Sequence, residues 1–231
     1  MKKADIIKKN IEITKKQIKK SVTQDLLLVQ SIHSIDEINK AINILLKRLR
    51  EWYELYFPEF SKLKEDNETF VAEVSTFSRS DLMKKSKIRT TMGADLETED
   101  INAIKSLAEK INKLYKLRES QQNYLDKLAA KIVPKTTAVV GSNIAARLIA
   151  IAGCIKNLAM MPASTIQVLG AEKAFFRHLR TGTKMPKYGI ILQHPLFERT
   201  PKKEHGKIAR KLASKISISI KEDYFKNVKN V

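Results

Sequence analysis

The stretch Ile35–Tyr56 reads IDEINKAINILLKRLREWYELY, and its apolar residues recur at alternating spacings of three and four. Such a repeat places the apolar side chains in one stripe along a helix, as in the seam of a coiled coil. Pro58 ends the pattern, because proline interrupts a helix. The stretch therefore predicts a long helix whose apolar stripe must be buried against another helix. The stripe consists of Ile35, Ile38, Ile42, Leu45, Leu49, Trp52 and Tyr56.

A second long helix is predicted from about Glu99 to Val133, with a seam that includes Ile104, Ala108 and Ile111. Two such helices joined by a modest connection are expected to pair antiparallel, since neither buries its stripe alone. Self-association between chains is the alternative. Pro58 and Gly93 supply turns in the connection and favour pairing within one chain, and a homodimer through this arm stays an additional expectation. We therefore predict an antiparallel coiled-coil arm over residues 1–133, although the stripe before residue 35 is weak.

Turn-forming residues separate this arm from the remainder of the chain. Six of the seven glycines and five of the six prolines lie at or after Pro134. This distribution predicts a compact helical domain over residues 134–231, and an all-α fold for the whole chain. A nearly all-apolar helix from Thr136 or Thr137 to about Ala159 should form the centre of its core. Arg147 on that helix is either a surface residue or an internal tether, and a last helix begins near Pro201.

The charge of the chain is concentrated in this compact domain. The 231 residues carry a net charge of +19. Residues 134–231 hold 18 Lys and Arg against 5 Asp and Glu, so they contribute +13 of that charge. An excess of this size indicates a polyanionic partner, with nucleic acid the first candidate and an anionic membrane the second.

Within the compact domain, Gly170–Arg180 reads GAEKAFFRHLR and is followed by Gly182. Gly170 permits a sharp turn before the helix, and Glu172 suits the positive end of the helix dipole. The basic residues share one face, and Ala174, Phe175, Leu179 and Phe176 are expected to pack inward. Two interpretations stay open at this point: an ordinary amphipathic helix with a solvated face, or a phosphate-binding surface. The basic residues are Lys173, Arg177 and Arg180.

Several ordered motifs resemble the Nop domain family, which includes the scaffold of archaeal box C/D ribonucleoproteins, nucleolar relatives and a pre-mRNA splicing factor. The arm resembles the coiled-coil segment of that family at Arg48–Phe60, RLREWYELYFPEF. The compact domain resembles it in four further segments, and the likeness runs from about Ser31 onward. These are GSNIAARLIA (141–150), KNLAMMPASTIQVLGAEK (156–173), GIILQHP (189–195) and GKIAR (206–210).

The resemblance implies an all-helical Nop domain on a coiled-coil arm that dimerises. It implies binding to a box C/D-type or other kink-turn RNA already occupied by a small kink-turn-binding protein. The motif Gly170-Ala171-Glu172-Lys173 and the following Ala174-to-Arg177 motif then face the RNA, with Phe175 in place of the family's leucine. The family's box C/D scaffolds also carry an N-terminal domain that docks fibrillarin, an RNA methyltransferase. The first thirty residues are too few for that domain, so we expect a fragment or a short relative, and fibrillarin is not an expected partner.

The expected roles of the site residues follow. Lys173, Arg177 and Arg180 contact phosphates, and Glu172 orders the helix start or accepts from an RNA hydroxyl. Gln193 and His194 either contact a loop nucleotide or only stabilise the turn before Pro195. Other lysines together form a diffuse phosphate-attracting surface with a steep salt dependence. They are Lys184, Lys187, Lys202, Lys203 and Lys207.

Other functional classes are disfavoured by the sequence. No nucleotide-binding glycine loop, nucleophile–base signature or metal-ligand spacing occurs, so we predict neither an enzyme nor a cofactor or metal site. Cys154 is the only cysteine, which excludes a disulfide framework. The lysine-rich first helix leaves a basic membrane-surface protein as the alternative of another class. The abundant lysine and isoleucine favour an archaeal, cytoplasmic protein; a eukaryotic one would be nuclear or nucleolar.

Overall fold

A computed structural model describes residues 3–229, which form twelve α-helices, one 3-10 helix and no strand. The predicted all-α class is therefore confirmed, whereas the coiled-coil character of the arm stays a prediction. The helices are α1 (Lys3–Ser21), α2 (Gln24–Tyr56), α3 (Pro58–Leu63), α4 (Asn67–Thr76), α5 (Arg79–Lys85), α6 (Thr98–Ile132), α7 (Pro134–Val140), α8 (Ser142–Ala152), α9 (Ile155–Met160), α10 (Ala163–Val168), α11 (Glu172–Thr181) and α12 (His205–Lys229), with the 3-10 helix at Ile190–Gln193 between the last two.

Two compact units share these helices. One comprises residues 33–123, and the other comprises residues 1–32 together with 124–231. The division therefore falls inside α2 and α6 and differs from the sequence-based boundary between residues 133 and 134. The sequence gives no sign of this division, because α2 and α6 are each continuous helices at the point where it falls.

The core of the unit 33–123 contains nine of the ten residues that the sequence places in the two seams. Five of the nine are buried, while Ile38, Leu45, Trp52 and Tyr56 are half-buried. Leu46 and Tyr53 are buried beside them. The buried stripe is thus wider than a heptad seam, because the short helices α3 to α5 also cover α2. The five buried seam residues of this core are Ile42, Leu49, Ile104, Ala108 and Ile111.

The connection before α6 returns to the end of α2. The backbone N–H of Ala94 donates to the carbonyl of Leu55 at 2.9 Å. A Cβ atom at Gly93 would lie 2.1 Å from the carbonyl oxygen of Tyr56, so only glycine allows this approach. The start of α6 consequently lies beside the end of α2, which is the arrangement that antiparallel pairing requires.

Glu73 on α4 joins two lysines in the same unit. Its side chain is 13% exposed and lies 3.1 Å from the Lys64 Nζ and 2.6 Å from the Lys85 Nζ. Burial alone would raise the pKa of Glu73, but the hydrogen bonds from Lys85 and Lys64 outweigh it and lower the pKa below its usual value of 4.5. The carboxylate is therefore more stable in the folded protein than in the unfolded chain.

We expect Glu73→Gln to lower the free energy of unfolding by about 1–3 kcal/mol at neutral pH, because charge-assisted hydrogen bonds contribute that much. A lowered pKa stabilises the fold above about pH 4.5, and this contribution is lost as the pH falls through the folded-state pKa. The difference in melting temperature between wild type and variant should thus shrink below pH 4.5. Glu68→Gln is the matched control, since Glu68 is 59% exposed in its pair with Arg118. A pH-independent difference would contradict the assignment.

The second unit has its core around α8 and α12. The buried face of α8 comprises Ile144, Ala145, Ala146, Leu148, Ile149 and Ala152. The prediction of one continuous helix from residue 136 or 137 to 159 is wrong. Gly141 and Gly153 adopt φ values of 80° and 86° and divide it into α7, α8 and α9. α12 packs against α7, α9 and α10, and it begins at His205 rather than near Pro201.

Asp223 on α12 fixes the start of α7. Its carboxylate accepts hydrogen bonds from the Thr136 N–H at 2.9 Å, the Thr136 hydroxyl at 2.8 Å and the Lys135 N–H at 3.2 Å. These backbone donors have no partner within α7, because they belong to its first turn. An acidic residue 87 positions later in the sequence therefore caps this helix.

Candidate nucleic-acid interface

Two glycines and one glutamate define α11, the helix that carries the proposed RNA contacts. Gly170 has a φ of 87°, and a Cβ there would lie 2.6 Å from the Ile190 side chain. The Glu172 carboxylate accepts from the Gly170 N–H at 2.7 Å, so the side chain orders the turn before the helix. Gly182, in the left-handed conformation, ends the helix with its N–H on the His178 carbonyl. Of the two roles proposed for Glu172, ordering the helix start has a direct geometric basis.

The solvent-facing side of α11 combines positive charge with apolar surface. Phe176 is 66% exposed and Leu179 is 65% exposed. They line a shallow depression of about 700 Å³ together with the three cations predicted from the sequence. The three cations are Lys173, Arg177 and Arg180.

The prediction that Ala174, Phe176 and Leu179 pack inward is wrong. No residue of α11 is buried, and only Phe175 of the four apolar side chains is even half-buried. The contact stripe is formed by Ala171, Phe175 and His178, which recur at spacings of four and three. The helix therefore lies on the surface and leaves its larger apolar side chains in solvent.

Gln193 and His194 both have partners within the protein. The Gln193 side-chain oxygen accepts from the Arg147 guanidinium at 2.6 Å, so Arg147 acts as an internal tether. The His194 Nδ1 accepts from the Leu196 N–H, and its Nε2 lies 3.2 Å from the Val139 carbonyl. Both ring nitrogens of His194 therefore have partners within the protein.

The remaining predicted lysines fall into two groups. Lys202 and Lys203 are exposed in the turn that precedes α12. Lys184, Lys187 and Lys207 instead line a single groove between α10, the segment after α11 and the first turn of α12. The sequence analysis predicted a diffuse surface, whereas these three lysines line one groove.

Sequence reasoning missed other members of that groove, namely Arg210, Ser164 and Gln167. Arg210 could have been assigned, because it follows Lys207 by three positions and so shares its helical face. Nothing in the sequence pattern pointed to Ser164 and Gln167 as groove residues, since only the packing of α10 on α12 brings them to the groove.

A long all-helical chain with two exposed basic surfaces is typical of nucleic-acid-binding proteins, and comparison with known proteins identifies the class. Residues 34–231 match the profile of the Nop family, described as a snoRNA binding domain, fibrillarin. The chain belongs to the Nop family.

Named relatives agree with this assignment. An uncharacterized NOP5 family protein of Methanocaldococcus jannaschii is 44% identical over 230 residues, which cover 92% of this chain and 56% of the relative. Nucleolar protein 58 of Yarrowia lipolytica is 39% identical over 217 residues, which cover 87% of this chain and 42% of that protein. Nucleolar protein 56 of Homo sapiens is 36% identical over 224 residues, with coverages of 88% and 38%. The chain thus spans about half the length, or less, of these relatives.

One chain of a solved structure has a fold similar to that of this protein. The chain is similar to one in the crystal structure of a fibrillarin/Nop5p complex, with a TM-score of 0.55 and 26% identity. The match covers 96% of this chain and 70% of that one. The identity is higher with the archaeal relative than with the two nucleolar proteins, in agreement with the predicted archaeal character.

In residues 3–229, no helix is both long and apolar enough to cross a membrane. The described side chains also contain no cluster of three or more His, Cys, Asp or Glu suited to a metal ion.

Proposed function

We propose that this protein is an RNA-binding scaffold of a ribonucleoprotein. It recognises a kink-turn, box C/D-like RNA together with a small kink-turn-binding protein, and it dimerises through the coiled-coil arm. Its role is binding without chemistry, in the cytoplasm of an archaeon. Membership of the Nop family supports the RNA-binding part, and the names of the nucleolar relatives agree with it.

The proposal that RNA and a protein partner are recognised together rests on the mixed surface of α11, which combines cations with exposed apolar side chains. A surface that binds only phosphates needs cations, and exposed Phe176 and Leu179 add nothing to it. Such apolar side chains gain when they are buried against another protein. Cations and apolar side chains on one helix face therefore suit a joint surface made of RNA backbone and a protein partner.

The alternative within the family is a stand-alone or splicing-factor-like protein that binds RNA without recruiting a methyltransferase. By the resemblance, fibrillarin docking belongs to an N-terminal domain of the family's box C/D scaffolds, separate from the coiled-coil arm and the Nop domain. The role proposed for residues 34–231 is accordingly independent of fibrillarin.

Sedimentation velocity tests the proposal with three samples: the protein with kink-turn RNA, with the small kink-turn-binding protein, and with both. We expect a stable complex with both and much weaker complexes with either alone, because each supplies only part of the joint surface. The mass of the free protein should be that of a dimer. Equal affinity for RNA with and without the small protein would contradict composite recognition, and a monomer at all concentrations would contradict dimerisation.

A further inference from the structure

The groove beside α12 has the properties of a second anion-binding surface. Its volume is about 750 Å³, and four cations converge on it from different elements. None of the residues that line it also lines the depression on α11. The groove is therefore a separate feature of the same unit. Its cations are Lys184, Lys187, Lys207 and Arg210.

The four cations of this groove form no ion pair with any side chain that the structure describes. Among the described side chains, no carboxylate lies within 4.0 Å of any of these four cations. Lys207 also lies in the first turn of the 25-residue helix α12, where the helix dipole adds to the positive potential. Four like charges around one concavity repel one another, so an anion that enters the groove relieves this repulsion.

The wall of the groove is held in place before any ligand arrives. The Gln167 side-chain amide donates to the Lys187 carbonyl at 2.6 Å, and the Gly189 N–H donates to the Gln167 carbonyl at 2.9 Å. A Cβ at Gly189 would lie 2.0 Å from the Leu169 carbonyl oxygen, so the two backbones are in direct contact. The segment that carries Lys187 is thus fixed to the end of α10, which lowers the entropic cost of binding.

We propose that this groove binds the sugar–phosphate backbone of a single RNA strand, outside the RNA contacted by α11. The inference rests on the proposed RNA-binding function and adds a second site to it. Ser164 and Gln167 place hydroxyl and amide groups beside the cations, which suits phosphate and 2′-hydroxyl oxygens. The residues that line the groove include no aromatic side chain on which a base could stack, so the contact is made to the backbone and we expect no sequence preference.

Binding of single-stranded oligouridine and oligoadenosine to the full-length protein, followed by fluorescence anisotropy at several salt concentrations, tests this site. The double variant Lys187→Gln, Lys207→Gln should bind both oligomers about tenfold more weakly. Its salt slope should fall by about 1.4, because each contact with a single strand contributes about 0.7. The matched control is Lys113→Gln, Lys116→Gln, which removes two exposed lysines of α6.

Comparison with the kink-turn complex separates this site from the one on α11. A 3′ single-stranded extension on a minimal kink-turn RNA, bound with its small protein partner, should tighten binding to the wild type and should not tighten binding to the groove variant. If the extension tightens binding equally for both proteins, the groove does not hold a separate strand and the inference is overturned. Unchanged binding of the oligomers, equal losses in the control, or binding of poly-glutamate in preference to RNA would also overturn it. A failure of the proposed function would appear differently, as a wild type that does not bind the minimal complex.

Discussion

Replacing Lys173 or Arg177 by alanine should weaken the complex with kink-turn RNA and its small protein partner by about 1–3 kcal/mol each. Both side chains lie on the exposed face of α11, beside Phe176 and Leu179. Each change removes one phosphate contact, so the salt dependence of binding should become shallower as well. The double variant should lose less binding free energy than the sum of the two single losses, because neighbouring residues that share one ligand do not act independently.

Filter binding at several salt concentrations measures this effect. Neither substitution should alter the melting temperature, since exposed surface substitutions change stability by less than about 0.5 kcal/mol. A loss of binding would therefore report on the interface rather than on folding. Lys113→Ala on α6 is an exposed control that should leave affinity and slope nearly unchanged. Wild-type affinity in both single variants would refute the assignment of RNA contacts to α11.

The long helices were predictable because their signals are local and repeat many times. The apolar spacing placed a helix from about residue 99 to 133, and α6 spans Thr98–Ile132. Leu46 and Tyr53 were not assigned to the seam, although they are buried. A heptad pattern assumes one partner helix, whereas α2 is also covered by the short helices that follow Pro58. Burial by several partners has no periodic signal along the chain.

The candidate site could be predicted from the sequence only in part, for a different reason. The basic residues of α11 could be assigned to one face from spacing alone. The orientation of that helix could not, because its apolar residues are found on both sides, and packing on Ala171 and Phe175 exposes Phe176. The groove cations Lys187 and Arg210 are far apart in the chain and meet only because α10 packs on α12. Side chains brought together by tertiary packing are beyond the reach of local patterns.

Asp223→Ala should lower the free energy of unfolding more than Glu73→Gln does. Asp223 is 3% exposed and accepts three hydrogen bonds from Lys135 and Thr136 at the start of α7. Alanine would leave those donors without this partner, two of them in the fully buried Thr136, and unsatisfied buried donors cost about 1–3 kcal/mol each. Because the effects overlap, we expect a total loss of about 3–5 kcal/mol.

Glu222→Ala is the matched control for this prediction, because it removes the neighbouring carboxylate. Glu222 pairs with the Lys135 Nζ at 2.5 Å, but both side chains are about half exposed. A solvent-exposed pair of this kind contributes about 0–1 kcal/mol, so urea unfolding should place this variant close to the wild type. Asp223→Ala should unfold at a much lower urea concentration, since it removes the hydrogen bonds from α12 to the first turn of α7 while leaving the charge on the basic surfaces untouched. Similar midpoints for the two variants would show that the carboxylate of Asp223 does not cap α7 in solution.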